Sequence, residues 1–166
     1  MAHGLTDCTG VEVRGEHIAA LRSLLKGDPD AWQPFYSAES AKEAIAYTVM
    51  LYGAFGVAVR RKFSPTYSLA DVIRFVSDMR IGYGREVSPI HPRVAEEMIR
   101  EVLGDPALGR FDPQNAETTI GAEVAVLDTL LHEANLDEAG LEEFIRDAAD
   151  FARQWIAARQ GEAGAA

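Results

Sequence analysis

One cysteine, Cys8, is all the thiol chemistry that 166 residues offer. A lone cysteine excludes an intramolecular disulfide and any cysteine-rich zinc site, and it fits a reducing, cytoplasmic setting. Lysine is equally scarce, at Lys26, Lys42 and Lys62 only. With 16 basic against 26 acidic side chains the formal charge is -10. That balance disfavours nucleic acid, whose binders carry a basic footprint, and attachment to an anionic membrane surface. The first residues lack the basic segment and apolar stretch of a secretory signal. Also missing are a Walker-type glycine loop with its lysine, a dinucleotide fingerprint, H-E-x-x-H, G-x-S-x-G and a calcium loop. The residues therefore imply no cofactor and no metal, and they do not define a reaction.

Long apolar runs are absent too. The longest uncharged stretch, Ala44 to Val59, lies between Glu43 and Arg60-Arg61-Lys62. Its helical length is roughly 24 Å at 1.5 Å per residue, short of the roughly 30 Å of a hydrocarbon core. Thr48, Gly53, Gly56 and several alanines make it a poor span. It predicts instead a buried central helix over approximately 40–62, opened by the capping box Ser40-Ala41-Lys42-Glu43. Gly53 and Gly56 inside it imply the close approach of another helix or a kink.

Helical periodicity accounts for most of the remainder, and no stretch alternates as a strand would. Ile18, Leu21, Leu24 and Leu25 mark a first helix stopped by Gly27; Asp28-Pro29 starts a short turn limited by Pro34. Ser64-Pro65 ends the core helix, and Ser68 with Asp71 forms a second capping box. From there Leu69, Val72, Ile73, Val76 and Met79 share a face. A turn at Pro89 to Pro92 leads to a helix burying Val94, Ala95, Met98, Ile99, Val102 and Leu103. Asp112-Pro113 caps a helix carrying Ile120, Val124, Leu127, Leu130 and Leu131, and Asp137 starts a last one with Leu141, Phe144, Ile145, Ala148, Ala152, Trp155 and Ile156 inward. The reading is an all-α, single-domain helical bundle of about six helices over 15–160, with a flexible arm at 1–14 and a disordered tail at 161–166.

Four groups of side chains are candidates for chemistry. Arg60, Arg61 and Lys62, with Arg74 beyond the next helix start, are suited to an anion such as phosphate or a carboxylate, or serve only the helix dipole. Trp32, Phe35 and Tyr36 form an aromatic set that either lids the core or meets a partner. Asp128 and His132 share a helix face. Glu96, Glu97 and Glu101 read as a solvated face beside Arg93 and Arg100. His3, His17 and His91 lack the spacing of a metal or nucleophile site, and Cys8 lies in the arm. A paired-helix DNA reading after Ser68 and Pro92 is disfavoured by the long connection and the three glutamates. The expected function is a non-catalytic protein-interaction or regulatory module, homodimeric or bound to a protein partner. The alternative is a small-molecule binding protein or enzyme with an anionic ligand between helices, walled by Tyr47, Tyr52 and Phe55.

Overall fold

The uncharged run folds as the interior of a 23-residue helix in the computed structural model, which describes residues 8–63, 65–84, 90–104 and 116–164. Among the described residues there are seven helices and no strand. They are α1 (Gly15–Leu25), α2 (Gln33–Tyr36), α3 (Ala41–Phe63), α4 (Leu69–Tyr83), α5 (Pro92–Val102), α6 (Ala116–Ala134) and α7 (Glu138–Gly164). The fold is all-α and single-domain, and its contacts gather into two compact units. One comprises Ala58–Asn135; the other joins His3–Val57 to Leu136–Ala166. Expectations for residues 1–7 with His3, for Ser64, for Pro89, for the Asp112-Pro113 cap and for 165–166 lie outside the described residues.

In the discontinuous unit, the α3 face around Gly53 and Gly56 receives α7. A Cβ on Gly53 would lie 2.5 Å from the Ala148 carbonyl oxygen, and one on Gly56 would lie 2.7 Å from the Phe151 ring. Close approach, not a kink, is what these glycines provide. Tyr52 meets Phe151 and Trp155 edge-on, and Phe55 and Phe144 are fully enclosed. Each such ring contributes roughly 1.5–3 kcal/mol through its removal from water. α1 packs on α7, tied by a two-pronged contact from Arg22 to Glu142 at 2.7 and 2.9 Å. Gly27 ends the α1 region at φ +75°, a conformation that favours glycine.

Three boundaries differ from the sequence reading. The described part of the expected arm is docked: Cys8 and Val11 are buried, and the Gln160 amide donates to both their carbonyls. The expected tail continues α7 to Gly164. Pro34 does not limit a helix begun at Asp28. Asp28 forms a side-chain turn to the Asp30 amide, and Pro34 sits in the first turn of α2, where a missing N–H costs nothing.

The continuous unit stacks α4 on α5 and α5 on α6, with α4 also touching α6. Ser68 and Asp71 make the full reciprocal cap of α4, and His91 caps α5 through Nδ1. Val72, Phe75, Val76 and Met79 are buried, whereas Leu69 and Ile73 are 48% and 44% exposed. The interior arc is therefore rotated from the expected face toward Phe75, whose ring meets Phe63 edge-on at 5.5 Å. In α6 the expected Leu127 is buried, but the interior arc is shifted away from Ile120. Ala122, Val126 and Leu130 face in, Ile120 is exposed, and the carboxyl of Glu123 is buried among them.

Candidate functional site

A cleft of about 770 Å³ opens in the continuous unit between the last turn of α3, the polar flank of α4 and the C-terminal half of α6. The α4 cap fixes its rim. The Ser68 amide donates to the Asp71 carboxyl at 3.0 Å, which holds that carboxyl below its ordinary value, and the Asp71 amide donates to the Ser68 hydroxyl at 3.2 Å. With Phe75 turned inward, its neighbours Asp71, Arg74 and Asp78 line the opening. From α6 come Asp128, Thr129, His132 and Glu133, which recur at helical spacing on one face.

Inside the cleft the Tyr83 hydroxyl donates to Asp128 at 2.8 Å. Burial pushes the Tyr83 phenol above its ordinary value, and the neighbouring Asp128 carboxylate adds to this, so it stays a donor at neutral pH. Lys62 is held by Glu133 at 2.9 Å, and Arg74 lies 3.7 Å from Asp71. These are half-exposed or exposed pairs, each of modest stabilising effect. Asp78 and Asp128 have no cationic partner among the described residues. The rings of Phe63, Tyr67, Phe75 and Tyr83 complete the lining.

Neither protein-family models, nor curated proteins, nor solved structures give a match to this chain.

Of the four basic candidates, Lys62 and Arg74 reach the cleft, while Arg60 and Arg61 are exposed on the last turn of α3 and do not line it. The two that arrive meet four carboxylates, Asp71, Asp78, Asp128 and Glu133. Asp128 and His132, which share a helix face, both line it. What spacing alone missed is Tyr83, whose partnership with Asp128 depends on α4 and α6 lying side by side.

The aromatic set separates. Phe35 packs on Tyr47 at 5.3 Å and Trp32 on Phe35 at 5.2 Å, so these two cover the core, while Tyr36 is 85% exposed. Tyr47 and Phe55 are core side chains and Tyr52 packs on α7, and none of the three lines this cleft. Glu97 pairs with Arg93 at 2.7 Å along the outer side of α5.

Glu16, His17 and Glu43 bring three potential ligand atoms within 4.8 Å of one another. His17 is buried, and its Nδ1 accepts the Arg14 amide at 2.9 Å. That contact uses the one lone pair of a neutral imidazole and leaves the proton on Nε2, which finds no acceptor among the described residues. Glu43 likewise accepts the Glu39 amide at 3.1 Å. The trio thus serves the starts of α1 and α3, where carboxylates complement the helix dipoles.

Proposed function

We propose that this chain is a small-molecule-binding protein whose ligand occupies the cleft between the end of α3, α4 and α6. The observation that carries it is the convergence of aromatic walls with six charged groups and a tyrosine–carboxylate pair around one cavity of about 770 Å³. Ligand sites have this size and this mixture of apolar lining with few directed polar groups. Helical bundles commonly build them from side chains on facing helices. The test is a broad metabolite screen by thermal shift, followed by NMR on the hits. Shifts confined to residues of α4 and α6 such as Asp78, Tyr83 and Thr129 are the expected result. No stabilisation across the panel removes this reading.

A second reading, self-association as an interaction module, is supported by the apolar side chains left exposed on α4. Leu69, Ile73 and Ile81 are 48%, 44% and 76% exposed and recur at multiples of four, which aligns them as a ridge. Sedimentation of the wild type and of Ile73→Asp distinguishes the two. A dimer that the substitution dissociates supports self-association, and a strict monomer eliminates it.

A further inference from the structure

We infer that the ligand of this cleft is an organic cation, an alkyl- or arylalkyl-ammonium ion; the inference rests on the cleft being a binding site at all. The sequence directs attention to the basic residues, yet the arrangement of charge opposes an anion. Both cations in the lining are already engaged, Lys62 with Glu133 and Arg74 with Asp71. An incoming phosphate or carboxylate would have to displace those carboxylates and then lie among four of them.

An ammonium group meets the opposite situation. Asp78 on α4 and Asp128 on α6 both line the cavity and have no cationic partner among the described residues. Asp128 is turned inward by its bond from Tyr83, which spends one lone pair of a carboxylate that has several. An ammonium donor in the cleft gains charge-assisted hydrogen bonds to these carboxylates, the stronger class of such contacts. Tyr67 and Tyr83 supply ring surface for the hydrocarbon part and a quadrupole attractive to positive charge, and the largely buried Phe63 and Phe75 complete the lining. A net charge of -10 on the whole chain adds long-range attraction of the same sign.

The test compares two probes of matched shape and opposite charge, phenethylammonium and phenylacetate, by calorimetry and thermal shift on the full chain. The inference expects binding of phenethylammonium, weakened about tenfold by Asp78→Asn and by Asp128→Asn separately, a factor equivalent to about 1.4 kcal/mol. Both variants keep the side-chain shape, and Asp128→Asn keeps an acceptor for Tyr83, so circular dichroism should match the wild type. Binding of phenylacetate in preference to phenethylammonium overturns the cation while leaving the cleft as a ligand site. Phenethylammonium binding that neither substitution weakens also overturns it, since the charge is then read elsewhere. If neither probe binds and the metabolite screen is also blank, the cleft reading fails with it.

Discussion

Gly53 and Ala148 touch so closely that no side chain fits between them: a Cβ at position 53 would stand 2.5 Å from the Ala148 carbonyl oxygen. This contact is backbone against backbone, and neither partner has a flexible group to move. Helix propensity favours alanine over glycine by up to about 1 kcal/mol in a helix interior. Gly53→Ala should nevertheless destabilise the protein by about 1–3 kcal/mol, the usual cost of overpacking. Gly56→Ala faces the Phe151 ring, a side chain that can shift, and should cost less. Chemical denaturation of the two variants ranks them; a Gly53→Ala protein as stable as wild type would refute the close approach.

The buried carboxyl of Glu123 makes stability fall as the solution becomes more alkaline. Desolvation raises its pKa from 4.5 to about 8 in the folded state, and Oε1 has no hydrogen-bond partner among the described residues. Between those values the folded chain holds a proton that the unfolded chain has lost, so stability declines as pH rises from about 4.5 to about 8. At 1.36 kcal/mol per pKa unit the full loss is on the order of 4–5 kcal/mol. Glu123→Gln should remove most of that slope, which urea unfolding at a series of pH values measures directly.

His17 works in the other direction and in the other unit. Its burial lowers the imidazole pKa from 6.5, the nearby Glu16 and Glu43 opposing that only in part. Stability from keeping the ring neutral is complete above about pH 6.5 and is lost as pH falls from there through the folded-state pKa. Protonation at Nδ1 also removes the acceptor for the Arg14 amide and so the cap of α1. His17→Asn, which retains a capping group but no titration there, should flatten the acid side of the profile. An unchanged acid limb would exclude His17 as its source.

Cys8 offers a readout for the segment that precedes α1. The thiol is 2% exposed, and the Gln160 amide holds the carbonyls of Cys8 and Val11 at 2.8 and 3.3 Å. Two neutral hydrogen bonds contribute about 1 kcal/mol each. Gln160→Ala should therefore speed reaction of Cys8 with a thiol reagent about tenfold or more, through easier local opening. An unaltered rate would mean that Gln160 does not hold the segment.

Features that one helix settles by itself were legible in the sequence, and features needing two helices were not. The α4 start at Ser68 with Asp71, the α7 start at Asp137 and the extent of α3 depend on local hydrogen bonds and on uncharged length. The glycine pair announced a close neighbour because only packing compensates glycine in mid-helix. The rotation of α4 that exposes Leu69 and Ile73 was hidden, since Phe75 gains its position from Phe63 on another helix. The same holds for the site. Arg74, Lys62, Asp128 and His132 were each identifiable as polar groups at helical positions. That carboxylates outnumber cations where they meet, and that Tyr83 joins them, follows from the placement of α4 beside α6.

The division of the chain has a consequence for its birth on the ribosome. Ala58–Asn135 is one unbroken stretch, whereas the partners of α1 and of Gly53 lie beyond it, in α7. Vectorial synthesis therefore delivers every helix of the inserted unit before α7 exists. During that interval the nascent α1 and the first half of α3 have no α7 to cover their apolar faces, and emergence of the last helix closes a very long loop. Completion of the outer unit waits until α7 has emerged, and a ribosome stalled before α7 holds those faces open to chaperones.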